Sequence, residues 1–331
     1  MRRERHSSIF NSRKTPVFVP LLGFFGAFLL TAGLVTWGGK FRSGPEDSLL
    51  NPPREMDLGS SSLVYDGFEA KDHDLYYHDL KGCMDHVREA DVVILGNSRV
   101  LCGLASDQLA AVTERSGLKF YNLGFGYDEG GEFALELLRR FDLRPGVVVV
   151  NADASFWKRK TPMAAKVADS WAWKSRVGYA EFQAAWHLRR NIHRWLPKII
   201  SPEQVAIWRN HENGAWSVRS SDVKPTNVAY LERESLATET EVLIASAHHW
   251  KEQLDRLGTT LVLTLVPSPE SNVTLARKLG EELGVPLILA PSDASFSTFD
   301  GDHLDRESSE RFTKLFVEQF ESLNIESQKQ L

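Results

Sequence analysis

Ser98 closes a short apolar run, Asp91-Val92-Val93-Ile94-Leu95-Gly96-Asn97-Ser98-Arg99. Far along the chain, Phe299-Asp300-Gly301-Asp302-His303-Leu304 leads through Glu307 into a helical pattern. A serine hydroxyl is a poor nucleophile until a base takes its proton, and imidazole is the usual base. His303 offers that imidazole, and Asp300, three residues before it, offers a carboxylate to orient the ring. The chemistry available to such a set is acyl transfer through a serine ester. Plainer readings exist for each piece. Gly96-Asn97-Ser98 is also a common turn sequence. The acidic segment could be a solvated turn in which Asp302 caps the last helix, or a set of oxygens around a cation. The full ligand ring of a calcium loop is missing.

The elements that must position these residues follow from the apolar pattern. Strands are expected at 91–95, 118–123, 147–151, 260–266 and 286–290, with helices near 105–116, 129–141, 238–257, 272–283 and 305–323. Val, Leu and Ile runs without polar alternation indicate strands buried on both faces. Their alternation with amphipathic helices implies an α/β fold on a parallel sheet. Functional groups of such sheets collect beyond the carboxyl ends of the strands. Ser98, the Gly124–Gly126 turn, Asn151 and the 291–303 loop all follow strands, so one sheet edge should gather them.

Taken together, the blocks around Ser98, Asn122, Asn151 and Asp300-x-x-His303 resemble the SGNH (GDSL-type) hydrolase family. The resemblance covers roughly residues 90 to 155 and 258 to 320. It implies a three-layer α/β/α core, flavodoxin-like in its sheet, and a Ser98–His303–Asp300 triad. It also implies an oxyanion hole drawn from the Ser98 amide, the Gly124 or Gly126 turn and the Asn151 side chain. In that turn, Tyr121-Asn122-Leu123-Gly124-Phe125-Gly126, strict spacing from Asn122 points instead to the amide of Tyr127. The third block lacks the familiar Gly-x-Asn-Asp string, and a count from the strand allows Asp153 as well as Asn151. An ionised aspartate cannot donate to an oxyanion.

The amino terminus bounds where this chemistry would occur. Val17 to Trp37 carries no charge and has the length of a bilayer-spanning helix. Arg2, Arg3, Arg5, Arg13 and Lys14 precede it, opposed only by Glu4. Residues 1–16 are therefore expected in the cytoplasm, 17–39 as an uncleaved anchor, and the remainder on the exported side. The rival signal peptide needs a small-x-small cleavage site, and Thr36-Trp37-Gly38-Gly39-Lys40 is a poor one. Residues 40–60, rich in Gly, Ser and Pro, read as a tether, and 61–325 as the SGNH-like domain.

A net charge of −5 shows no footprint for nucleic acid. No cofactor or metal is expected, and no Cys/His spacing resembles a zinc site. Cys83 and Cys102 suit an oxidising compartment without requiring a bridge between them. Residues 154 to about 237 interrupt the α/β pattern and hold seven of the nine tryptophans, beside Lys158, Arg159, Lys160, Arg189, Arg190 and Arg194. Helical spacing over Ala180 to Leu196 suggests a helical insertion above the active edge. Its tryptophans suit either a sugar-stacking surface or the core of a small subdomain.

Anchored proteins of this resemblance act on envelope polysaccharides, often beside an integral-membrane acyltransferase. The resemblance thus implies an esterase or O-acyltransferase working on acyl groups, acetyl above all, of cell-envelope carbohydrate. The alternative is a non-catalytic module that binds a glycan or a membrane partner.

Overall fold

The computed structural model describes residues 60–64, 83–125, 130–157, 205–220, 226–230, 232 and 237–323. The apolar run Val17–Trp37, nearly all of the tether, the Ala180–Leu196 segment, Gly126 and Tyr127 lie outside the described residues. Among those described, no helix is long and apolar enough to cross a membrane.

Along the chain the elements are β1 (Ser60–Val64), α1 (Cys83–Arg88), β2 (Val92–Leu95), α2 (Ser98–Gly103), α3 (Ser106–Ser116), β3 (Phe120–Asn122), α4 (Gly131–Arg140) and β4 (Val147–Asn151). They continue with β5 (Val205–Asn210), β6 (Trp216–Ser220), β7 (Thr226–Val228), α5 (Ala237–Leu257), β8 (Thr260–Thr264), α6 (Val273–Leu283), β9 (Leu287–Ile288), β10 (Phe296–Thr298) and α7 (Arg306–Ser322). Five strands form one parallel sheet in the order β3-β2-β4-β8-β9. The chain thus starts in the second position, steps outward once, then crosses back past its first strand. The crossing falls between β2 and β4, the position at which parallel sheets of this order commonly bind ligands.

Both faces of the sheet are covered, as the unbroken apolar runs require. Val93, Leu95, Val148, Val150, Leu261 and Leu263 pack with residues of α1, α4, α5 and α6. The alternate residues Val92, Ile94, Val147, Val149 and Val262 pack with Leu109 and Val112 of α3 and with Phe312, Phe316 and Phe320 of α7. This strict exchange of faces is the two-residue period of a strand. It produces an α/β body with helices on either side.

The insertion departs from expectation. Its described part is not helical: β5 pairs antiparallel with both β1 and β6, making a three-stranded sheet. Val205-Ala206-Ile207-Trp208 is rich in residue types that favour strands. The turn that follows is set by Asn210, whose side-chain oxygen accepts the Glu212 N–H at 2.8 Å. β1 likewise comes from a stretch that shows no strand pattern of its own. β7 and β10 form a further antiparallel pair, too short for periodicity to reveal. Cys83 and Cys102 are buried thiols in different apolar clusters, so no bridge joins them.

Candidate active site

The turn that carries Ser98 is built by close approach. A side chain at Gly96 would place its Cβ 2.8 Å from the Asn151 Cβ, so only glycine lets the end of β2 lie against the end of β4. Asn97 then caps α2, its side-chain oxygen accepting the Arg99 N–H at 3.1 Å. Its amide reaches Ser155 Oγ at 3.1 Å. Ser98 becomes the first residue of the helix, where an N–H has no intrahelical acceptor. Its side chain stands at the carboxyl edge of the sheet, 4 % exposed.

The acid–base segment is a closed loop. β10 ends at Thr298, which bridges to Leu304, and the Phe299 N–H donates to the His303 carbonyl at 3.0 Å. Gly301 turns the loop at φ +96°, a conformation that disfavours side chains. One oxygen of Asp300 accepts the backbone N–H groups of Asp302 (3.0 Å) and His303 (2.8 Å). The other meets His303 Nδ1 at 2.7 Å. Burial opposes ionisation of Asp300, but the hydrogen bond and positive charge of His303, with the two amides, outweigh it and hold the carboxyl down to about 2. Asp300 is therefore an acceptor at neutral pH, which places the imidazole proton on Nδ1. The lone pair of Nε2 then faces Ser98 Oγ, 2.8 Å away. The Phe299 ring stacks on the imidazole at 5.8 Å between centroids. The sequence-expected Ser98, His303 and Asp300 thus meet in one hydrogen-bonded line.

Asn151 and Asp153 part company in their roles. Asn151 is wholly buried; its Oδ1 accepts the Val266 N–H at 2.9 Å, while its Nδ2 has no acceptor. An unpaired buried amide donor costs roughly 1–3 kcal/mol. Asp153 instead accepts from Ser155 and forms an ion pair with Arg99. Gly124 uses its N–H on Asn122 Oδ1 at 3.2 Å, and the Phe125 N–H donates to the Gly96 carbonyl at 2.9 Å. That loop is therefore fastened to the turn that carries Ser98, and its continuation through Gly126 lies outside the described residues.

The insertion sheet braces this loop from outside. Arg209 of β5 is 1 % exposed, and its Nη2 donates to the carbonyls of Asn122 (2.9 Å) and Gly124 (3.3 Å). The Asn213 carbonyl accepts the Asn122 N–H at 2.7 Å, and Asn122 Nδ2 reaches back to the Val100 carbonyl. The hairpin thus covers the edge strand β3 and grips the turn beyond it.

Sequence reasoning overlooked Arg99. Its guanidinium is buried beside Ser98 and meets Asp153, Glu270 (2.6 Å) and Asp302 (2.9 Å from Nε). Burial would weaken its protonation, but the three carboxylates reverse this and raise its pKa above the ordinary value. The available signal was an arginine directly after Ser98 and ahead of the apolar Val100-Leu101, with no local acid to answer it. Asp302 therefore does not cap α7; Asp305 does, accepting the Ser308 N–H at 2.8 Å. Asp300, Asp302 and Asp305 serve three different partners, and no metal-holding group of three or more His, Cys, Asp or Glu occurs among the described residues.

Chemically, the arrangement can take the Ser98 proton onto His303 and keep the resulting imidazolium beside an ionised Asp300. Comparison with family models, with curated proteins and with solved structures finds no match to this chain.

Proposed function

We propose that this chain is a serine esterase or O-acyltransferase of SGNH-like, flavodoxin-like architecture. Its substrates would be acyl groups, acetyl foremost, on cell-envelope carbohydrate. The observation that carries the reading is the line Asp300–His303–Ser98, with contacts of 2.7 and 2.8 Å. Ser98 Oγ attacks the acyl carbonyl as its proton passes to His303 Nε2, and Asp300 holds the imidazolium. The oxyanion is met by the Asn151 Nδ2 donor, which otherwise has no acceptor, and by the Ser98 N–H. The amides of Gly124 and Phe125 are already engaged, so a third donor would come from Gly126 or Tyr127, as the spacing in sequence allows. Collapse of the tetrahedral adduct releases the alcohol, which leaves with the proton from His303. The acyl group then rests on Ser98 until water or a sugar hydroxyl removes it by the same steps reversed. Water makes the chain an esterase; a hydroxyl makes it a transferase.

The uncharged run Val17–Trp37 behind a basic tail supports a location of the domain on the outer side of the cytoplasmic membrane. An integral-membrane acyltransferase beside it would supply the acyl group. A non-catalytic glycan- or partner-binding module is the alternative, and it leaves both the 2.8 Å contact and the unpaired Asn151 amide without a use.

Hydrolysis of p-nitrophenyl acetate by the full chain in detergent tests the reading. Ser98→Ala should lower kcat by roughly a thousandfold or more. Turnover that survives this substitution would overturn it.

A further inference from the structure

We infer that Arg99 is a positioning residue that holds the base-bearing loop in register with the nucleophile. The inference rests on the serine-ester reading above and adds to it the device that keeps the relay aligned. Two adjacent residues of α2 reach two adjacent residues of the 299–304 loop: Ser98 meets His303 and Arg99 meets Asp302. The first bridge has to loosen whenever substrate enters, because Ser98 Oγ must turn to the carbonyl. The second does not take part in the reaction and can persist through it.

The geometry of the second bridge suits that task. Arg99 presents both Nε (2.9 Å) and Nη2 (2.8 Å) to the same oxygen of Asp302. Nη1 is held by Asp153 beyond β4, and Nη2 also meets Glu270 in the loop between β8 and α6. One planar group thus ties together the loops after β2, β4 and β8 and the segment after β10. A lysine offers a point charge in place of this fork and cannot serve several loops at fixed angles. Asp302 transmits the constraint because it lies between the two triad residues of its loop. Its own N–H is bonded to Asp300, the carboxylate that also carries the His303 N–H and ring. A displacement of Asp302 therefore moves Asp300 and the imidazole with it.

The test is ester hydrolysis by the full chain in detergent, with wild type, Arg99→Ala, Arg99→Lys and Asp302→Asn compared. A misplacement of about 1 Å typically costs on the order of a hundredfold in rate. Arg99→Ala should lose about that much in kcat with little change in KM. Arg99→Lys should not restore it, whereas millimolar guanidinium chloride should recover part of it in Arg99→Ala and none in Ser98→Ala. Thermal melting checks that the variants remain folded. Should Arg99→Ala fail to fold, Asp302→Asn decides, since it alters only a partly exposed partner; it should lower kcat about tenfold. A folded Arg99→Ala at wild-type kcat, or one that guanidinium does not rescue, overturns the inference, as does Asp302→Asn at wild-type kcat. An inactive wild type brings down the serine-ester reading and this inference together; an active wild type with unaffected variants brings down this inference alone.

Discussion

His303 Nε2 lies 2.8 Å from Ser98 Oγ across 205 residues of sequence. Neither local propensity nor a shared element brings them together. The meeting follows from β2 lying inside the parallel sheet while the loop after β10 folds back over its carboxyl edge. If that contact is the proton path, His303→Ala should depress kcat for an aryl acetate by roughly a thousandfold or more, with KM nearly unchanged. Steady-state kinetics on the folded variant measures this.

Asn151→Asp separates the donor role of the side chain from its structural one. The substituted carboxylate keeps an oxygen for the Val266 N–H but removes the Nδ2 donor that faces no acceptor. The expected outcome is a kcat reduced on the order of a hundredfold or more, with the fold retained by circular dichroism. A rate near that of wild type would remove Asn151 from the oxyanion hole.

The depressed ionisation of Asp300 has a consequence for stability against pH. Its carboxyl falls from 3.8 to about 2 in the folded chain. The folded state therefore binds this proton more weakly than the unfolded state, and the stabilisation is fully present above the unfolded value. It is lost as pH falls through the folded value. The melting temperature of wild type should exceed that of Asp300→Asn near pH 5 and converge with it as pH drops towards about 2. In hydrolysis at neutral pH, Asp300→Asn should lose on the order of ten-thousandfold in kcat, because the amide no longer imposes the Nδ1 proton.

Arg209→Met tests the brace that the insertion places on the site. The substitution preserves much of the buried volume but leaves the Asn122 and Gly124 carbonyls without their donor. Unpaired buried groups of this kind cost about 1–3 kcal/mol each. Removing Nε and Nη1, which are buried without acceptors, offsets part of that cost, so urea denaturation should register a net loss of about 1–3 kcal/mol, and amide exchange should speed up at Phe125, which ties the loop to Gly96.

The parallel sheet was legible because its strands are unbroken runs of Val, Leu and Ile. Val147–Asn151 falls where the pattern puts it, and the helices at Ser106–Ser116, Gly131–Arg140 and Val273–Leu283 sit within two residues of expectation. Ser98, Asp300 and His303 were legible because Ser98 closes an apolar strand and Asp300-x-x-His303 sets a carboxylate and an imidazole at a short spacing. The Arg99 network was not, since its partners lie 54, 171 and 203 residues away and share no spacing with it. The pair β7–β10 escaped notice because three residues carry no periodicity, and β1 because its strand exists only through β5. Within the insertion, helical spacing at 180–196 drew attention from Val205–Asn210, where strand-forming side chains and an Asn-set turn decide the local structure.

The most direct measurement is labelling of the purified full chain with a fluorophosphonate, followed by mass spectrometry of the modified peptide. A serine that reacts this way must be activated by a base in place. The adduct is expected on Ser98, formed with one-to-one stoichiometry, and absent from Ser98→Ala and His303→Ala. A wild-type chain that stays unlabelled, or carries the adduct on another residue, would contradict the account.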